Sequence, residues 1–255
     1  MYRSTRQHGM NIDEAVSMRF RTEVASFFNV LAAPAEVFAG LYHTPRYRVP
    51  ALFTLVASLI AGYAMIPAEE QILRGIYMRS FGAEHADSAV TSLMKIYFVL
   101  GVLVRTCTIF VRWLVFSVVL YSITRSCIPK SYPNWKQIFC VVAYSEIIFI
   151  AMSVISVLMI YAQGLEKIVN STDMVVFKGL DALVGSWIDN PLLSTLFANV
   201  NIFSLWYVIT VSVGLRVFTG FKRSESVALT AVSWLTWSIV NMLGKPVTEY
   251  FLKFV

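Results

Sequence analysis

A helix of roughly 20 consecutive apolar residues crosses a hydrocarbon core about 30 Å thick. Five runs of that kind stand in this sequence, at 49–66, 97–121, 138–161, 201–218 and 226–243. They predict an all-α integral membrane protein, five transmembrane helices in a bundle, with amphipathic interfacial helices beside it. Charged residues make up only 14% of the chain, against ~25% in a soluble domain. The apolar and aromatic content excludes disorder, and three cysteines are too few for a disulfide framework. A net charge of +6 then reads as a positive-inside bias, not as nucleic-acid binding.

The chain divides into a cytoplasmic amphipathic head (1–48), a membrane domain (49–243) and a short outer tail (244–255). The first uninterrupted apolar run begins only at Val49, so a retained first helix is expected instead of a cleaved signal peptide. Twelve of the 21 basic residues fall in the head, in the 122–137 connection and in the end of the fourth run with its turn. Seven lie on the other side, spread over more residues, and two lie inside a span. This asymmetry places the N-terminus in the cytoplasm and the C-terminus outside.

Phe20, Val24, Phe27, Phe28 and Leu31 recur at helical spacing, with Arg19, Arg21 and Glu23 on the other face. The pattern fits either an interfacial helix or a helix packed on the bundle. Pro34 is placed to start a second short helix through Phe38 and Leu41. Beyond the third run, Val176, Leu180, Leu183, Val184 and Trp187 predict a surface helix from Asp173 to a stop at Asp189, Asn190 and Pro191. Another such helix is expected in the residues after Pro67, which include Ile72, Ile76 and Phe81.

Ionisable side chains inside a span cost from ~3 to over ~10 kcal/mol, so they mark the sites of interest. Three qualify: Arg105, Arg112 and Glu146. Arg112 lies about 13 Å from the cytoplasmic end of its run and Glu146 about 12 Å from the same surface, at ~1.5 Å per residue. Equal depth predicts an ion pair between them, with Ala143 and Ser153 allowing close approach. The pair is either structural or part of a pathway. Arg105 has no acidic partner at its depth; it either snorkels outward or meets Trp206, Tyr207, Trp234 and Trp237 in a cation–π contact.

The fourth and fifth runs form a tight hairpin around 219–224, with Ser224 as a candidate N-cap ahead of Glu225. Asn201, Ser204 and Ser212 are answered by Thr230, Ser233, Ser238 and Asn241, a pattern for hydrogen bonding between helices in the first place and for a solvated pathway in the second. His8, His43 and His85 are scattered, so no metal site is expected, and no cofactor motif is present. Cys107 and Cys140 sit in apolar runs where a thiol is inert. Catalysis is not expected; a membrane-embedded site built from Arg105, Arg112 and Glu146 is the weakest reading.

Three stretches carry a family resemblance. They are FFNVLAAPAEVFAGLYHTPRYRVPALF (Phe27 to Phe53), YPNWKQIFCVVAYSEI (Tyr132 to Ile147) and NIFSLWYVITVSVGLRVFTGFKRSESVALTAVSW (Asn201 to Trp234). The chain resembles the Yip family of Ypt/Rab-interacting membrane proteins, and especially its bacterial branch. The resemblance implies a five-helix bundle with a cytoplasmic head. Eukaryotic members are associated with Rab GTPases, but their acidic Tyr-Gly-Pro head motif is missing here, so a Rab-type GTPase is not the expected partner. The expected place is the cytoplasmic (inner) membrane, or a Golgi/ER membrane in a eukaryote. The expected partners are the lipid bilayer and a further membrane protein or a second copy. Function divides between a scaffold or accessory subunit of a transport or export assembly and a small transporter or channel using Arg105, Arg112 and Glu146.

Overall fold

A helix continues as long as its backbone groups pair within it, whatever the polarity of its side chains. The computed structural model, which describes residues 12–81, 83–127, 133–184 and 190–252, continues the helices of the first two apolar runs far beyond the apolar stretch. After α1 (Ile12–Asn29) and α2 (Pro34–Leu41) come α3 (Arg48–Phe81) and α4 (Ala83–Cys127). The latter pair, 34 and 45 residues long, measure about 51 and 68 Å at ~1.5 Å per residue. They pack on each other as a long helical hairpin. The separate surface helix expected after Pro67 is thus replaced by the continuation of α3 and the start of α4. Pro67 stands inside α3 and supplies no N–H for the Tyr63 carbonyl. One residue on, the Ala64 carbonyl accepts a hydrogen bond from the Tyr161 hydroxyl at 2.7 Å.

Four helical stretches among the described residues are long and apolar enough to cross a membrane: Arg48–Ile76, Thr106–Cys127, Trp135–Gln163 and Ile202–Thr219. The fifth run lies in α10 (Arg223–Leu252), which is helical but does not join those four. The third run is two helices, α5 (Trp135–Ser145) and α6 (Ile147–Gln163), meeting at Glu146. There the Glu146 N–H bonds the Ala143 carbonyl three residues back, at 3.3 Å, the tighter 3-10 spacing.

Over half of the apolar window is buried in α5–α6 and in α9 (Ile202–Thr219), 56% in each, against 33% in α3 and 22% in α4. The centre of the bundle is therefore α5–α6 against α9, with α3, α4 and α10 around it. Both central elements start from a capping box. Asn134 accepts from the Lys136 amide while Gln137 accepts from the Asn134 amide, and Asn201 and Ser204 exchange the equivalent bonds. Gly220, at φ +72°, ends α9 in the left-handed conformation. α10 starts at Arg223, two residues ahead of the expectation, and Glu225 reaches back to the Lys222 amide at 2.9 Å; Ser224 lies in the first turn and is not the cap.

The head sits on the end of the bundle where α9 finishes. Phe27 and Phe38 are fully buried, Phe27 against Tyr144 and Phe38 against Phe218. Arg46 bonds Glu23 at 2.9 Å, and Gln137 donates to the Tyr42 carbonyl at 2.6 Å. Phe20 and Phe28 stay about half exposed, so the stripe of α1 divides between bundle and surroundings, and Leu31 falls in the turn after the helix.

Two further expectations are corrected. Residues 173–189 do not form one helix. They hold a 3-10 turn (Ser171–Met174), an extended stretch and a single turn, α7 (Asp181–Val184); Trp187 and Asp189 lie outside the described residues. The backbone here is pinned instead: the Leu180 N–H bonds the Val200 carbonyl at 3.0 Å, and a Cβ on Gly179 would come within 2.4 Å of the Ala198 carbonyl. Pro191 starts α8 (Pro191–Ala198) instead of stopping a helix. Exposed Asp173 takes the Val169 and Asn170 amides at 2.9 and 2.8 Å, which holds its carboxyl below the ordinary aspartate value. The second correction concerns the stripes on α9 and α10. Ser212 and Ser233 donate to the carbonyls of Val208 and Leu229 in their own helices, not across to the neighbour.

Close approach is specified at Gly214, where an added Cβ would lie 2.5 Å from a methyl of Val141 and 3.0 Å from the Phe38 ring. Gly214→Ala is expected to cost about 1–3 kcal/mol through overpacking. Thermal unfolding in detergent should show a lowered midpoint, and adding Val141→Ala should recover part of it.

Candidate functional site

An isolated charge cannot remain in a bundle interior, so the neighbours of Glu146 decide what it is. Its carboxylate is 2% exposed. One oxygen meets the Arg112 guanidinium in an ion pair, and the other accepts the Trp113 indole N–H at 2.9 Å. The turn at Glu146 aims this side chain at α4, and the consecutive positions of Arg112 and Trp113 let one helical turn serve both oxygens. The guanidinium also lies 4.6 Å above the centroid of the Phe149 ring. A carboxylate with both oxygens occupied, a partner charge and an aromatic face form a self-neutralised centre.

Arg112 is one-fifth exposed, and two cavities reach it. The larger, roughly 480 Å³, lies between α3, α4 and α6, where small residues such as Ala57, Ala61 and Ser153 leave room. Its rims carry Ile60 and Leu158, each 64% exposed. The smaller, roughly 180 Å³, lies between α4, α6, α9 and α10, and its wall is more polar, with Asn199, Asn201, Tyr207, Ser238 and Asn241. Arg112, Phe149 and Met152 line both, and so form the partition between them.

Of the residues singled out from sequence, Arg112 and Glu146 are brought together. Ala143 is fully buried beside them, whereas Ser153 donates to the Phe149 carbonyl and lines the large cavity instead of tightening a helix contact. Arg105 lies on α4 seven residues before Arg112, but its side chain is outside those described. Trp234, Trp237 and Tyr207 line the smaller cavity with Arg112, and Trp206 is 37% exposed outside it. The cation–π contact among the described residues is that of Arg112 with Phe149. Trp113 and Phe149 were missed. Trp113 carries the one N–H donor beside Arg112, and Phe149 follows Glu146 at i+3, the same helix face. Cys140 is buried and donates to the Arg46 carbonyl at 3.0 Å. His43 is exposed; His8 and the His85 side chain lie outside the description. Among the described residues no cluster of three metal-ligating side chains occurs.

Removing one partner of the buried pair should cost about 3–5 kcal/mol, because the other charge stays behind. Arg112→Gln and Glu146→Gln are each expected to lower the unfolding midpoint strongly. Their combination should cost much less than the sum, which a double-mutant cycle on the purified protein reads directly.

The Yip1 domain family model matches residues 28–243, from the last turn of α1 into α10. No curated protein and no solved structure gives a significant match to the chain.

Proposed function

The chain belongs to the Yip1 domain family, and on that premise we propose that it is a non-catalytic polytopic membrane protein. It acts as a membrane-organising scaffold or as an accessory subunit of a membrane transport or export assembly. One observation supports this reading above the others. The buried acid that could serve as a base or nucleophile, Glu146, has both oxygens committed, to Arg112 and to Trp113. Surface for lateral association is ample, since α3 and α4 are the least buried of the apolar helices.

The same reading takes α10 as a fifth span, which puts the head and the C-terminus on opposite sides. The excess of basic residues on the head side supports a cytoplasmic head, and the reading takes the cytoplasmic membrane as the protein's place. A second reading has its own support. Two cavities that converge on Arg112 and Phe149 from opposite sides of the bundle fit a small transporter or channel using Arg105, Arg112 and Glu146.

Affinity purification from membranes in mild detergent should recover a membrane protein at fixed stoichiometry, and tagging that partner should recover this chain in return. Isolation of the chain alone from both directions would rule out the subunit role. Arg105→Gln and Glu146→Gln decide between the readings. A flux lost at unchanged protein level supports transport, and lowered abundance alone marks the charges as structural.

A further inference from the structure

The smaller cavity begins at the end of the bundle away from the head, at Asn199, Asn201 and Asn241, and descends to Arg112 and Tyr207. Three features of its floor and wall belong together. Tyr207 is 2% exposed and its hydroxyl has no hydrogen-bond partner, a deficit that a buried polar group rarely carries. The Nε of Arg112 is also buried and unpartnered, while another nitrogen of the same guanidinium holds Glu146. Each oxygen of Glu146 already holds a donor, which leaves the Arg112 Nε and the Tyr207 hydroxyl as donors without a partner on two residues that line the cavity. The mouth adds asparagine side chains and the half-buried Trp234 and Trp237.

Spare donors at the bottom of a polar cavity select an acceptor-rich ligand. At roughly 180 Å³ the space lies below the ~300–1,000 Å³ of drug-sized ligand sites, so the ligand group is small. The geometry points to a binding site for a small oxyanion, a carboxylate or phosphate group, held by the Arg112 guanidinium and the Tyr207 hydroxyl. Glu146 leaves the centre neutral before the ligand arrives, so binding is moderate and reversible. The site does not depend on whether the chain is a scaffold or a transporter. The group is carried either by a free solute or by the headgroup of an anionic lipid.

The test uses the full chain with Cys107, Cys127 and Cys140 replaced by serine, reconstituted in nanodiscs that expose both membrane faces. Ser238→Cys lies on the cavity wall, and Ile239→Cys, next to it on α10, lies on the exposed face of the helix. A charged, membrane-impermeant thiol reagent is expected to label Cys at 238 several-fold faster than at 239. In neutral phosphatidylcholine nanodiscs, inorganic phosphate or acetate should slow labelling at 238 saturably if the oxyanion is a free solute. If it belongs to a lipid, the slowing should require phosphatidylglycerol. Tyr207→Phe, which keeps the ring and its packing, should raise the half-protecting concentration roughly tenfold. Equal labelling at the two positions, or no protection by either source, overturns the proposal. Protection unchanged in Tyr207→Phe removes Tyr207 from the site and overturns the assignment as drawn.

Discussion

A carboxylate in the middle of a membrane bundle has to be compensated where it stands, and Glu146 sets that condition for its surroundings. The third span breaks at this residue, the Arg112–Trp113 turn of α4 is fixed against the break, and Phe149 is held beneath the guanidinium. These contacts fix the rotation of α4 about its axis as well as its height. An apolar helix can slide or turn against its neighbours at small cost, whereas one carrying half of a buried ion pair cannot.

The burial pattern around that centre is uneven for a physical reason. α5–α6 and α9 pack through Gly214, Val141 and Phe38 with no spare volume, while α3 and α6 are separated by alanines and serines that leave a cavity. One side of the bundle therefore behaves as a close-packed core, and the other keeps room along the exposed Ile60 and Leu158. The hydroxyls of this region mostly bond within their own helices, so helix association here rests on shape more than on polar contacts between helices.

Much of this was legible in the residues themselves. Apolar length locates four of the five expected spans, and depth counting joins Arg112 to Glu146, because one rise per residue applies to both helices. Pro34, with Phe38 and Leu41 behind it, marks α2 correctly. Other features depend on contacts that no local pattern reports. The turn at Glu146 has no proline or glycine to announce it. Residues 67–96 mix charges and apolar side chains as a surface segment does, yet they continue α3 and α4. The helical spacing of Val176 to Trp187 yields to the anchoring of Gly179 against the 197–198 carbonyls. Trp113 and Phe149 look like ordinary lipid-facing aromatics until a charged partner is placed beside them.

The head has one more consequence, for the order in which the molecule is made. Phe38 and Tyr42 rest on Phe218, and Phe27 rests on Tyr144. Phe38 and Phe218 are 180 positions apart; at ~5–20 residues per second, synthesis separates them by about 10–40 s. During that interval α3 and then α5 emerge and cover Phe27 with Phe53 and Tyr144, while Phe38 and Tyr42 on the α2 side still lack Phe218. The α1 side of the head can thus settle early, whereas the α2 side completes its packing only once α9 is made, with α10 still to be added.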